Sequence, residues 1–210
     1  MKTALLFVVT LALAAPVAAQ DAPAISIRPF AMATEESFAA TDTFTAVFGK
    51  KSFPLFGGGV QVVVHDTFFV ELTASRLQQT GQRAYINLGK AFQLGIPLTA
   101  TISPFEVTGG YRFRLKKTAR VRPYVAAGIG SYGYTETSPF AQPGDDVSVR
   151  HTGMLVNGGV EVRVHRWVGV SGDVQYTHVP GILGAAGVSQ QAKEDDLGGV
   201  AARVRVVIGR

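Results

Sequence analysis

The chain has 210 residues, of which 47% are hydrophobic, with a formal net charge of +5 and no cysteine. Without cysteine, thiolate catalysis and cysteine-ligated metal sites are excluded, and an exported chain must be stabilised by burial and hydrogen bonding alone. Lys and Arg occur singly rather than grouped with stacking aromatic residues, so the sequence does not indicate nucleic-acid binding.

The first 19 residues have the pattern of a secretory signal peptide. Lys2 supplies the positive start, and residues 4–15 are apolar but too short to cross a bilayer as a helix. Small residues at Val17-Ala18-Ala19 precede Gln20 and suit cleavage there. The alternative is an N-terminal membrane anchor, but no basic stop signal follows. We therefore predict a signal peptide at 1–19 and one exported barrel domain at 20–210.

A side-chain period of two recurs along the exported part and predicts strands. The clearest example is the hairpin at 154–176, where valines alternate with polar and charged residues on both sides of a connection at 165–167. Similar patterns predict further strands at 25–33, 55–64, 68–77, 104–115, 121–134 and 197–208. Continuity through the turn before the strand at 121–134 predicts that Val125, Ala127 and Ile129 point outward. The sequence thus predicts eight strands.

The connections between these strands alternate in length. Three are short (65–67, 116–120 and 165–167), and four are long (34–54, 78–103, 135–148 and 179–196). Within the second long connection, residues 83–88 and 91–94 are candidates for a small extra hairpin. Strict alternation is typical of a meander that threads a membrane. We predict an all-β fold, an eight-stranded antiparallel up-and-down transmembrane β-barrel.

The polar faces of the strands carry both signs of charge. An eight-stranded barrel has an interior just wide enough for side chains to fill, and charges buried there must pair. We therefore predict a packed, charge-paired lumen rather than a wide aqueous pore. The candidate lumen network consists of Arg28, Glu71, Glu106, Arg112, Arg114, Glu161, Arg163, Asp173, Arg203 and Arg205.

The alternative is a soluble antiparallel barrel of the lipocalin type, with these charges facing water. Such a barrel would put its apolar face inside, and it would not need loops of unequal length at its two ends. Aromatic residues near the predicted strand ends favour the membrane, because they are placed as interfacial girdles would be. They are Phe68, Phe69, Phe113, Tyr132, Tyr134, Trp167 and Tyr176.

Several segments resemble small bacterial outer-membrane β-barrel proteins, of the OmpA transmembrane-domain and OmpX type. They are Phe56-Gly57-Gly58-Gly59-Val60, Gly109-Gly110-Tyr111-Arg112-Phe113, Pro123-Tyr124-Val125-Ala126-Ala127-Gly128-Ile129-Gly130 and the valine-rich hairpin. One departure is Ile208-Gly209-Arg210, where such chains commonly end on an aromatic residue.

The resemblance implies a monomer in the outer membrane, surrounded by membrane lipids and lipopolysaccharide. It also implies passage through periplasmic chaperones and the barrel-assembly machinery. The short connections are basic, as at Lys116, Lys117 and Arg166, while the long ones carry acidic clusters. We expect the short connections in the periplasm and the long ones outside the cell.

The remaining polar residues do not indicate a cofactor or metal. His65, His151, His165 and His178 lack metal-ligand spacing, and Glu194-Asp195-Asp196 is interpreted as a solvated acidic run. His151 and His178 could approach one another at the loop side, with Ser148 or Asp145 nearby, as a rim site for lipid or peptide hydrolysis. The favoured function is instead a structural or surface-interaction barrel and not an enzyme. A narrow or gated pore for small solutes is the alternative.

Overall fold

A computed structural model describes residues 25–87, 90–115, 120–140, 146–185 and 187–209. Within them lie the strands β1 (Ile25–Phe38), β2 (Ser52–Val64), β3 (Phe68–Asn87), β4 (Lys90–Arg112), β5 (Val121–Thr137), β6 (Val147–His165), β7 (Val168–His178) and β8 (Gly199–Ile208). Two helices, α1 (Thr41–Phe48) and α2 (Gly187–Ala192), lie in the connections, and neither is long and apolar enough to cross a membrane. The predicted signal peptide falls outside the described residues.

The eight strands form one closed antiparallel barrel in chain order, with β8 pairing with β1. The predicted up-and-down barrel is confirmed. Closure pairs the first strand with the last, so the barrel wall itself is continuous, and only the part of the β3–β4 hairpin beyond β2 and β5 has no neighbouring strand. Because side chains alternate along each strand, one face of the wall points outward, and this outer face is apolar: Phe68, Val156 and Val204 are 60%, 53% and 57% exposed. The outward direction predicted for Val125 and Ile129 is also confirmed.

The two ends of the barrel differ in construction. The turn end comprises the connections at 65–67, 113–120 and 166–167, and the loop end comprises those at 39–51, 88–89, 138–146 and 179–198. At the turn end, His65 and Asp66 have φ of 49° and 56°, and the Thr67 N–H donates to the Val64 carbonyl at 3.1 Å. Two successive positive φ values are typical of a type I′ hairpin turn, which matches the twist of the strands it joins.

Two of the predicted long connections are wrong. In place of a loop at 34–54, β1 continues to Phe38, α1 follows, and β2 begins at Ser52. In place of a loop at 78–103, β3 and β4 remain paired as far as Asn87 and Lys90. The candidate extra hairpin is the tip of this ladder rather than a separate element. Unequal strand length, not only loop length, therefore distinguishes the loop end.

The two helices are fixed to each other and to the wall. Gly49 ends α1 with a φ of 77°, which favours glycine. The Glu194 carboxylate accepts the Asp42 and Thr43 N–H groups at 3.0 and 2.8 Å, satisfying donors that the start of a helix leaves free. The expectation that Glu194 is a solvated acid is therefore wrong, because it joins the β7–β8 connection to α1.

The loop-side part of the barrel interior is apolar. We call this region the apolar plug; its members are Phe38, Ala40, Phe44, Phe53, Leu55, Leu77, Ala100, Ile102, Tyr132, Tyr134, Val179, Ile182, Leu183 and Leu197. Phe38 of β1 and Phe44 of α1 stack with ring centroids 4.2 Å apart. The helix α1 therefore packs directly against β1. A lumen that is polar throughout is thus a wrong expectation.

The predicted aromatic girdle is correct only in part. Phe68, Phe113, Trp167 and Tyr176 point outward, whereas Phe69, Tyr132 and Tyr134 are buried inside the barrel. The parity of each strand decides this, since neighbouring residues such as Phe68 and Phe69 must point to opposite faces.

Candidate functional site

The turn-side part of the lumen is organised around Glu161 of β6. Its two carboxylate oxygens accept hydrogen bonds from the Arg28 guanidinium at 2.6 and 3.0 Å, and one also accepts from Arg112 at 2.9 Å. Asp66, at the type I′ turn, lies 3.6 Å from Arg112 and pairs with Arg122. We call these residues the turn-side cluster. A single carboxylate here pairs with two guanidiniums from different strands, and Asp66 supplies a second negative charge beside Arg112.

The second group is organised around Arg205 of β8. Its Nη1 donates to both oxygens of Glu71 at 2.7 Å, its Nη2 lies 3.1 Å from the Asp173 carboxylate, and its Nε donates to Ser171 at 3.1 Å. The guanidinium also lies over the ring of Tyr124, 5.1 Å from its centroid. Every donor-bearing nitrogen of Arg205 therefore has a partner, as a buried guanidinium requires.

The third group carries the network toward the loop end. Arg203 donates from Nε to Asp173 at 2.5 Å, and its Nη1 lies 3.9 Å from Glu106. Glu106 accepts hydrogen bonds from the Tyr132 hydroxyl at 2.8 Å and from Gln175 at 3.0 Å. We call the groups around Arg205 and Arg203 the central cluster. Tyr132 belongs to both regions, since its ring packs in the apolar plug.

Gln61 of β2 connects the two clusters. Its side-chain oxygen accepts from Arg28 at 3.1 Å, and its amide nitrogen donates to Glu71 at 3.0 Å. Among the described residues, the buried charged side chains are four arginines and four acids: Arg28, Arg112, Arg203, Arg205, Glu71, Glu106, Glu161 and Asp173. The buried charge of the described lumen is thus balanced within the protein.

These eight residues were all in the predicted lumen set, and the structure brings them together. Arg114 is a wrong prediction. β4 ends at Arg112, so Arg114 lies beyond the last paired residue, is exposed, and donates to the His65 carbonyl at the turn end. Arg163 faces inward but is only half-buried, near the turn-end opening.

The uncharged and turn residues that complete the network were not predicted. Gln61, Tyr124 and Gln175 have the inward parity of their strands, and this parity was the available signal. Asp66 had no such signal, because its position depends on the type I′ turn that turns its carboxylate over the lumen opening. The inward direction of Arg122 could also have been predicted from the alternation of β5, because its neighbour Val121 faces outward.

The predicted rim site is not assembled. His151 pairs with buried Tyr132 across β5 and β6 and so faces inward, whereas His178 pairs with exposed Met154 and faces outward. The His178 Nδ1 lies 2.6 Å from Asp196, whose other oxygen accepts the Val179 N–H at 2.7 Å. Asp196 is therefore structural rather than a solvated acid.

Asp145 falls outside the described residues, and Ser148 is exposed on β6 opposite Thr135, where it faces away from the inward-facing His151. Within the described ranges, no three His, Asp or Glu side chains come together in a group that could hold a metal ion. The arrangement of the site is that of a paired, self-neutralising interior.

Solved structures similar to this chain include three outer-membrane or surface proteins. The structure of OprG, an outer membrane protein from Pseudomonas aeruginosa, aligns with a TM-score of 0.55 at 14% identity, covering 89% of this chain and 96% of that one. The N-terminal β-barrel domain of Pseudomonas aeruginosa OprF aligns with a TM-score of 0.49 at 14% identity, covering 88% and 97%. Neisserial surface protein A aligns with a TM-score of 0.49 at 12% identity, covering 90% and 98%.

Among curated proteins, no match to this sequence was found. The model of the outer membrane protein β-barrel domain family matches residues 5–204, which is nearly the whole chain. With the closed eight-stranded barrel, its apolar outer face and its polar interior, this match shows that the chain belongs to the outer membrane protein β-barrel domain family.

Proposed function

We propose that this protein is a non-conducting outer-membrane barrel whose function lies at its loop end, as a structural and surface-interaction protein. The observation that carries the proposal is the filling of the lumen in two successive layers. The central and turn-side clusters occupy one part, and the apolar plug occupies the other. A solute would have to break buried ion pairs and then displace packed aromatic side chains.

A role in binding other surface molecules is supported by apolar side chains that are exposed at the loop end. Tyr85 and Phe92 stack at 5.4 Å near the tip of the β3–β4 hairpin, and Phe140 is 73% exposed. Exposed apolar surface of this kind typically marks an interaction site. We propose that the loop end faces outward and contacts lipopolysaccharide, host surfaces or other envelope partners.

The remaining partners follow from the barrel itself. The apolar outer face suits outer-membrane lipids, and export would involve periplasmic chaperones and the barrel-assembly machinery. Because β8 closes onto β1 of the same chain, closing the barrel requires no second copy, which supports a monomer. We propose that the signal peptide at 1–19 directs this export.

Single-cysteine labelling tests the orientation, since the natural chain contains no cysteine. Phe140→Cys places a thiol at the loop end, and the matched control Arg166→Cys places an exposed thiol at the turn end. We expect a membrane-impermeant maleimide to label Phe140→Cys on intact cells and Arg166→Cys only after lysis. The reverse pattern would overturn the proposed outward loop end.

The contact role is tested with proteoliposomes carrying the protein, applied to surfaces coated with lipopolysaccharide or with host cells. Tyr85→Ser with Phe92→Ser removes the stacked pair, and Phe68→Ser with Tyr111→Ser removes a matched pair on the outer wall near the turn end. We expect retention to fall only for the first variant. Equal retention of the wild type and of protein-free liposomes would remove support for the contact role.

A narrow or gated pore remains the second candidate because of one observation. Within the described chain, five buried side-chain atoms make no hydrogen bond: Arg28 Nε, Thr34 Oγ1, Thr108 Oγ1, Asn157 Oδ1 and Arg203 Nη2. Polar atoms left in this state favour local hydration of the lumen. Conductance across planar bilayers distinguishes this candidate from the filled barrel.

A further inference from the structure

A cavity of about 410 Å³ lies at the loop end, between the two helices and the inner side of the extended β3–β4 hairpin. This volume falls within the range of small-molecule sites, roughly 300–1,000 Å³. Its walls are mainly apolar and include Phe44 and Val47 of α1, Val188 of α2, and Leu98 of β4. The cavity is distinct from the charged clusters of the lumen.

The walls are held in place by hydrogen bonds that connect the hairpin to each helix. The Ile86 N–H donates to the Gln191 side chain of α2 at 2.7 Å, and the Gln93 side chain donates to the Ala46 carbonyl of α1 at 3.3 Å. The Glu194 carboxylate links α1 to the connection that carries α2. The space is therefore bounded by elements fixed to one another rather than by free loops.

An irregularity in the hairpin directs two side chains into this cavity. The ladder pairs Gln82 with Pro97 and then Ala84 with Gln93, which leaves Arg83 unpaired on β3 and residues 94–96 unpaired on β4. Gly95 has a φ of 71°, a backbone conformation that favours glycine. Bulges of this kind reorient side chains and occur often beside functional sites. Arg83 and Leu94 both line the cavity.

Arg83 supplies the cavity with a cation that none of the described acidic residues neutralises. Within the described ranges, no acid lies within ion-pair distance of its guanidinium, and no side chain hydrogen-bonds to it. Glu136, the acid of the same cavity, accepts the Tyr134 hydroxyl at 3.0 Å instead. An apolar space with one unpaired guanidinium is complementary to an apolar tail with an anionic head.

We propose that this cavity binds a single-tailed carboxylate amphiphile, with Arg83 holding the carboxylate and the walls of α1, α2 and β4 holding the tail. Leu98 and Tyr134 line the cavity and are buried on the inner side of the wall. The outer face of the wall at this height is polar, as at Gln78 and Thr80, so it lies beyond the apolar band of the barrel. The ligand therefore enters from the medium at the loop end, and the proposal goes beyond the contact role of the loop-end surface.

The test measures binding of radiolabelled decanoate by equilibrium dialysis to the full chain in lipid nanodiscs, with empty nanodiscs subtracted. We expect saturable binding by the wild type and about 10- to 100-fold weaker binding by Arg83→Gln, because a charge-assisted hydrogen bond is lost. Arg76→Gln, an exposed arginine on the same strand, is the matched control and should bind as the wild type does. Decanol, which has the same tail and no charge, should bind weakly to all three.

A second variant separates the cavity from the charge. Ala185 is exposed and lines the cavity, so Ala185→Trp fills the space without disturbing the barrel wall and should abolish decanoate binding. A heat-dependent shift on a detergent gel confirms that each variant is folded. Absence of saturable wild-type binding, or equal loss in Arg83→Gln and Arg76→Gln, would overturn the proposal.

The source of the natural ligand is tested by mass spectrometry of lipids that copurify with the wild type but not with Ala185→Trp. Free fatty acids among these lipids would support the proposal. Multi-chain phosphorylated lipids alone would overturn the assignment to a free carboxylate amphiphile.

Discussion

The two parts of the barrel interior share one strand geometry but are filled by opposite chemistry. Near the turn end, inward positions carry Arg, Glu and Asp that neutralise one another, while near the loop end they carry Phe, Leu and Tyr packed against α1 and the β7–β8 connection. The turn-side part lies within a wall whose outer face is already apolar, so its inner face is free to be polar. The loop-side part extends past that apolar band and is built like the core of a soluble domain.

This difference has an energetic consequence. Each buried ion pair is costly to form but very costly to break, because the remaining charge is left without a partner. The apolar plug loses only transfer and packing free energy when a side chain is shortened. The two regions should therefore respond differently to single substitutions.

The largest effect is expected from Glu161→Ala. This change leaves Arg28 and Arg112 buried without their shared carboxylate, which should lower the free energy of unfolding by about 5 kcal/mol, near the upper limit for a broken buried pair. The measurement is urea-induced unfolding in detergent micelles, followed by gel migration with and without heating. Glu35→Ala, an exposed acid on the outer face of β1, is the control and should change little. Equal loss in the two variants would remove the turn-side cluster as a source of stability.

Phe53→Ala should have the next largest effect. Phe53 is fully buried in the apolar plug and contacts Phe38 and Phe44, so its removal should cost about 3–4 kcal/mol. Hydrogen exchange should show loss of protection at α1 and the loop ends of β1 and β2, with the turn-side strands unchanged. Uniform loss of protection throughout the barrel would contradict the separation of the two regions.

Glu194→Gln should have a smaller and local effect. The loss of a charged acceptor at the start of α1 should cost about 1 kcal/mol, seen as faster hydrogen exchange within α1. Asp195→Asn is the matched control, since this neighbouring acid is exposed. If both variants exchange alike, Glu194 does not fasten the two connections together.

The smallest effect is expected at Trp167, the single tryptophan of the chain, which is 40% exposed at the turn end. Its fluorescence should be quenched more strongly by lipids brominated near the headgroup than by lipids brominated near the bilayer centre, because tryptophan prefers the interface. Trp167→Phe should alter stability by less than about 1 kcal/mol. Stronger quenching from the bilayer centre would contradict the turn end as an interfacial position.

The sequence predicted the barrel well where the wall has an apolar outer face and a polar inner face. In β6 through β8, the contrast between an apolar and a polar face showed which residues face inward, and four predicted lumen charges are buried there: Glu161, Asp173, Arg203 and Arg205. Arg114 was misplaced because alternation continues past Arg112, whereas pairing does not. Alternation of polar and apolar residues in the sequence does not show where the hydrogen-bonded pairing of two strands ends.

The loop end was poorly predicted for a related reason. Beyond Leu77, β3 carries polar residues on its outer face, as at Gln78 and Thr80, so the contrast that marks a membrane strand disappears. The helix α1 was hidden by its threonines, Thr41, Thr43 and Thr45, which are weak helix formers. Its stability depends on Phe44 packing and on Glu194, which are tertiary contacts that local pattern does not contain.

Conductance across planar lipid bilayers tests the central claim most directly. We predict that the wild-type protein inserts without producing steady channels. The paired charges fill the turn-side part of the lumen, and the apolar plug fills the loop-side part. Steady channels in the wild type, with an ion selectivity that changes in Glu161→Gln or Arg203→Gln, would contradict the account and show that the lumen conducts.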